Sequence, residues 1–188
     1  MAQSTDSKTG LAALAEATTQ APGRGLPPVH LWNPSHCGDI DIVIRRDGVW
    51  LHENSPIGRP ELVRLFSTVL RKDPDGYCLV TPVEKLAIRV EDLPFRAVAV
   101  NEADETLRFT TDVGDVVEAG PEHPIEVGTD PATGEPSPAL HVRADLWARI
   151  ARPVFYELVE RAAVEDGRLT VRSGGSAFPL GPVGAGVA

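Results

Sequence analysis

From Asp39 to Ile44 the chain reads DIDIVI, with Ile40, Ile42 and Ile44 at every second position and Asp39 and Asp41 between them. A period of two puts alternate side chains on opposite faces, so this run predicts a half-buried β-strand. RRDG supplies turn residues and VWLHE follows, which predicts a hairpin. Past the turn NSPIG the period lengthens. In RPELVRLFSTVLRK, Pro60 stands near the start and Leu62, Phe66, Val69 and Leu70 recur on one helical face, the clearest helix of the chain. DPDG breaks that pattern and YCLVT predicts a strand. KLAIRVED, FRAVAVN, TLRFTTD and DVVEAG are short and alternating, so strands outnumber helices and the predicted class is a β-rich α+β fold.

The same order returns later in the chain. LHENSPIGRPELVRLFSTVLRKDPDGYCLVT from Leu51 matches LHVRADLWARIARPVFYELVERAAVEDGRLTV from Leu140, pairing Leu51-His52 with Leu140-His141, Phe66 with Phe155, and Asp75-Gly76 with Asp166-Gly167. A strand candidate precedes each copy, DIDIVI in one and PIEVGT in the other, the second joined through DPATGEPSP. The pattern predicts two small halves related by duplication of a hairpin, helix, strand unit, against chance similarity of two amphipathic helices. Pro153 has no counterpart in the first copy and predicts a kink or a restart in the second helix. Polar residues 1–8, a short alanine-rich helix over Gly10 to Gln20 and the linker APGRG make residues 1–25 a tail. Residues 26–101 and 102–188 are then the two β-rich domains.

Composition adds limits. Of 188 residues, 42% are hydrophobic and 24% charged, which suits a globular chain, and the few aromatics leave the core to Val, Leu, Ile and Ala. The net charge of -9 is uneven: residues 1–100 hold eleven basic and twelve acidic side chains, residues 101–188 seven and fifteen. Long-range repulsion disfavours generic binding to DNA, RNA or an anionic membrane, and the near-neutral first half is the expected place for an anionic ligand. Ten acids and one base, Arg108, between Glu102 and Glu135 read as a solvated face rather than a metal site. No stretch approaches the roughly 20 apolar residues of a membrane span, and LAALAEA is too short and polar for a signal segment, so the expected location is the cytoplasm.

Candidate chemistry is sparse. Cys37 and Cys78 form no C-x-x-C, which argues against a zinc ribbon or a disulfide scaffold. His36 and Cys37 are adjacent at a strand entry, so their side chains point to opposite faces and make a poor dyad. Cys78 reads as a small core residue. The five histidines show no metal-ligand spacing, and no phosphate-binding glycine loop, dinucleotide fingerprint or serine elbow occurs. No residue is assigned as catalytic or metal-ligating, and no cofactor is called for. The binding candidates are Trp32, able to stack on a base; His52 and Glu53, where a strand leaves for the helix; Arg59, at the opening of that helix; and the cations Lys85 and Arg96.

Three segments, HLWNPSHCGDIDIVI, WLHENSPIGRPELVRLFSTVL and YCLVTPVEKLAIRVEDLPF, together resemble a bacterial family known as domain of unknown function 1285. The likeness spans roughly residues 26 to 181 and is more specific in the first half. It implies two β-rich halves related by duplication, the C-terminal one similar to a pleckstrin-homology fold, a role in signalling, and a nucleotide-like ligand at the seam of the halves. It carries over no catalytic residues. The expected function is therefore a non-enzymatic regulatory module that binds a small anionic, nucleotide-like ligand at the seam. The rivals are a small hydrolase or transferase using His52 and Glu53, and a protein-interaction adaptor.

Overall fold

The computed structural model describes residues 15, 16 and 26–183. The short helix expected over Gly10 to Gln20 therefore lies almost wholly outside the described residues. The chain forms two compact units, Met1–Asp92 and Leu93–Ala188. Position 101 falls inside an unbroken strand, Phe95–Ala103 (β7), so the units divide about nine residues earlier than the composition shift alone implied.

The N-terminal unit opens with a 3-10 turn, Val29–Leu31, followed by β1 (His36–Ile44), β2 (Trp50–His52), β3 (Ser55–Pro56), α1 (Pro60–Thr68), β4 (Leu70–Asp73), β5 (Gly76–Val80) and β6 (Glu84–Val90). The strands form one sheet in the order β3-β2-β1-β6-β5-β4, with β1 and β6 parallel at its centre. The DIDIVI alternation holds for the outer part of β1. It then gives way to three consecutive buried residues, Ile42, Val43 and Ile44, where the strand enters the core. The helix starts as expected, with Pro60 in its first turn and Leu62 and Phe66 turned inward. It ends four residues early, however. Val69 is its C-cap and Leu70 opens β4, because pairing with β5 (Leu70 to Leu79, Arg71 to Cys78) outcompetes another helical turn. The DPDG segment is the turn of that hairpin.

The C-terminal unit contains β7, β8 (Thr106–Thr111), β9 (Val116–Glu118), β10 (Ile125–Thr129), β11 (Pro136–Arg143), β12 (Leu146–Ile150), α2 (Arg152–Arg161), β13 (Ala163–Glu165), β14 (Arg168–Ser173) and β15 (Ser176–Pro182). Six strands form a sheet in the order β10-β11-β12-β7-β8-β9, with β12 and β7 parallel, and β13 to β15 form a separate antiparallel sheet. Numbered within its own unit, each six-stranded sheet reads third, second, first, sixth, fifth, fourth, with its first and sixth strands as the parallel pair. Two halves with the same sheet are what a duplication produces. The small sheet is tied to the large one through Ser173, a buried residue whose hydroxyl donates to the Ala119 carbonyl (2.7 Å) and accepts from the Leu107 amide (2.8 Å). Next to it, Gly174 has φ +54, and a Cβ there would meet the Ala119 carbonyl oxygen at 3.0 Å, so only glycine fits the joint.

The order read as repeated in the sequence, three strands, a helix and further strands, recurs as β10 to β12, α2, β13 and β14, but this is a likeness of order only: α1 follows the third strand of its sheet and α2 the sixth, and the sequence pairing of the two helices is also out of register. The helix N-caps, Arg59 and Ala151, stand 92 residues apart, whereas pairing Leu51 with Leu140 sets 89. Counted from the caps, Leu62 matches Val154 and Phe66 matches Leu158, all four buried, while Phe155 is only half-buried. A slip of three residues is close to one helical turn of 3.6, which leaves the apolar face nearly in phase and hides the error. Pro153 lies in the first turn of α2, so the helix begins there and Ala148 to Ile150 belong to β12. Among the described residues no helix is long and apolar enough to cross a membrane.

Candidate functional site

Strand alternation gives the large C-terminal sheet two different faces. Leu140, Leu146, Ala148, Ile150, Phe95 and Ala97 point into the core. The opposite face takes the intervening residues, and the pairing fixes which of them meet. Arg149 on β12 lies directly opposite Arg96 on the parallel strand β7. Ala139 flanks Arg149 on its other side, and His141 pairs with Trp147 one step along. Neighbouring strands are about 4.8 Å apart, so the two arginines start from adjacent backbone positions on one face. Like charges directly opposite destabilise a sheet unless something negative lies between or above them.

Several groups surround the two arginines. The Asp112 carboxylate accepts from the Arg96 backbone amide at 3.0 Å; burial pushes its pKa above the ordinary aspartate value, while that bond and the charge of Arg96 pull it back in part. Nε of Arg96 is buried without a hydrogen-bond partner. Arg149 donates through Nη1 to the Pro138 carbonyl at 3.2 Å. Beside the arginines is an aromatic group: the His123 and His141 rings stack at 5.5 Å, and Trp147 meets His141 edge to face at 5.1 Å. The His141 nitrogens lie 2.9 Å from the Glu122 carbonyl and 2.5 Å from that of Ala144, which fixes the ring in place. Two forked cations beside an anchored aromatic cluster form a binding arrangement for a carboxylate or phosphate.

Of the sequence candidates, only Arg96 belongs to this face. The other five lie in the N-terminal unit. Trp32 and Lys85 are drawn together by Arg71. Its guanidinium forks onto Asp73 (2.7 and 2.8 Å) and reaches the carbonyls of Val29 and Trp32, both at 2.8 Å. Lys85 completes the group through Asp73 at 2.7 Å and Asp75 at 3.3 Å. The bonds from Arg71, with help from Lys85, hold the Asp73 carboxyl at about 2, below its ordinary 3.8. Each cation here already faces a carboxylate, so the cluster serves as a clamp on the 3-10 turn. His52 is half-buried at the end of β2 opposite Ser55, and Glu53 is exposed in the following turn with φ 49. Arg59 is the exposed N-cap of α1 and makes no side-chain cap bond. Cys37 is exposed and Cys78 buried, both free. Burial pushes the Cys78 thiol up to about 11.

Arg149, Trp147 and His141 escaped sequence reading, although the signal for two of them was present. LWARI, residues 146–150, alternates apolar and polar residues as a strand does and so puts Trp147 and Arg149 on one face. Matched to the first helix, the same segment lost that pattern.

The described residues form a strand-rich α+β protein of two units with matching six-stranded sheets. Residues 27–93 match the model described as the N-terminal domain of domain of unknown function DUF1285, and residues 94–180 match the model of its C-terminal domain. The chain belongs to the DUF1285 family. It is similar to the crystal structure of a DUF1285 family protein from Silicibacter pomeroyi DSS-3, with 49% identity and a TM-score of 0.81 over 90% of this chain and 95% of that one. A DUF1285 family protein from Shewanella baltica OS155 matches at 25% identity and a TM-score of 0.52, over 63% of this chain and 90% of that one. No curated protein matches the chain.

Proposed function

We propose that this protein is a non-enzymatic regulatory module that binds a small anionic ligand, nucleotide-like in combining a phosphate or carboxylate with a ring. The observation that carries the reading is the cross-strand pair Arg96 and Arg149, with Nε of Arg96 buried and unpartnered. An anion bound at this face satisfies that donor. Trp147, two residues from Arg149 on the same strand face, supplies an aromatic surface for a base. The free thiols of Cys37 and Cys78 agree with a cytoplasmic site of action, which forms part of the proposal.

Isothermal titration and thermal shift of the full chain with inorganic phosphate, nucleoside monophosphates and dicarboxylates test it. A true ligand at about 100 times its Kd stabilises the protein by about 2.7 kcal/mol. Arg96→Ala and Arg149→Ala each weaken binding, and added salt weakens it further. If none of these anions binds, or if binding survives loss of both arginines, the proposal fails.

A further inference from the structure

The C-terminal unit also has a cleft of about 200 Å³, where β7 and β8 approach the end of α2 and the small sheet. Its rim carries four charges of both signs: Glu102, Arg161, Glu165 and Arg172. Two of them satisfy each other, since Nε and Nη2 of Arg172 fork onto the Glu165 carboxylate at 3.0 and 2.9 Å. The other two are under-used. Among the described residues the Glu102 side chain makes no hydrogen bond or ion pair. Arg161 makes only long contacts, 3.5 Å to the Glu157 carboxylate and 3.4 Å to the Glu157 carbonyl, against the roughly 2.7–2.9 Å of a strong charge-assisted bond. The cleft thus offers one available carboxylate, one weakly held guanidinium, and an apolar floor of Leu107 and Val171, both almost fully buried.

We propose that this cleft binds a free α-amino acid with an apolar side chain. The ammonium group goes to Glu102, the carboxylate to Arg161 and the side chain to Leu107 and Val171. The balanced charge disfavours a simple anion, and a volume below the roughly 300 Å³ where drug-sized sites begin is too small to enclose a nucleotide. This site shares no residue with the arginine face, so either proposal stands or falls without the other.

Calorimetric titration of the full-length protein with leucine, valine, N-acetyl-leucine and leucine amide tests it. Free leucine or valine is expected to bind. Removing the ammonium charge by N-acetylation, or the carboxylate charge by amidation, is expected to weaken binding by about tenfold or more. Glu102→Gln and Arg161→Gln reproduce those two losses from the protein side, and both residues lie at the surface, where substitution leaves the fold intact. The proposal is overturned if neither amino acid binds, if the blocked forms bind as well as the free ones, or if either rim variant binds as the wild type does.

Discussion

Replacing Ser173 by alanine removes one oxygen atom and tests how the C-terminal unit is joined. Ser173 is 1% exposed and satisfies two main-chain groups from other elements, the Leu107 amide of β8 and the Ala119 carbonyl beyond β9. Alanine fits the space and leaves both groups buried without a partner. A buried unsatisfied group costs about 1–3 kcal/mol, so the pair should cost about 2–4 kcal/mol, the carbonyl the smaller share because its second lone pair is less demanding. With a urea slope of about 2 kcal/mol/M, the unfolding midpoint of this unit drops by about 1–2 M. Urea unfolding followed by circular dichroism measures that shift. Ser176→Ala, directly across the same hairpin from Ser173, is the control and should stay within about 0.5 kcal/mol of wild type. Ser173→Cys should fall between the two, since sulfur makes weaker hydrogen bonds. If Ser173→Ala unfolds at the same urea concentration as Ser176→Ala, the hydroxyl does not tie the two sheets and the reasoning is wrong.

Three further outcomes are expected. Because Arg71 and Lys85 lower the folded pKa of Asp73 to about 2 from 3.8, its stabilising contribution is complete above about pH 4 and is lost as the pH falls through about 2. The stability gap between wild type and Asp73→Asn, read by urea titration at a series of pH values, should accordingly close on acidification and stay constant from about pH 5 to 7. Iodoacetamide at mildly alkaline pH should label Cys37 and spare Cys78 in the native protein, which peptide mass spectrometry can read, because Cys78 is buried with its thiol raised to about 11. Phe66→Ala should cost about 3–5 kcal/mol, whereas Phe155→Ala, at a half-buried position, should cost clearly less; equal losses would restore the two phenylalanines as structural equivalents.

Elements whose periodicity and burial agree were readable from the chain. DIDIVI with RRDG announced β1 and its hairpin, and Pro60, Leu62 and Phe66 announced α1, because each pattern matches what the folded unit buries. Boundaries failed where pairing partners decide them. Nothing local to Val69 and Leu70 says that β5 will capture Leu70 into a strand, and nothing in LWARI alone says that it pairs with both β11 and β7. The candidate site was legible only as single cations. Arg96 was singled out, but its pairing with Arg149 spans more than fifty residues of chain and exists only once the parallel pair has formed. Lys85 looked equally promising in the sequence, and the carboxylates that face it, Asp73 and Asp75, lie on a neighbouring hairpin.

The central parallel pair also constrains how each unit is made on the ribosome. Hairpins such as β4 with β5 or β10 with β11 close between near neighbours and can form as soon as they leave the exit tunnel. The middle of each sheet cannot. Ile44 must wait for Val90, and Ala97 for Ile150, so each sheet lacks its spine until its last strand has been synthesised. A chain stalled before residue 90 would present Ile42, Val43 and Ile44 with one side of β1 unpaired, a template for association with other chains. Each half of the protein is therefore committed late and as a whole during synthesis.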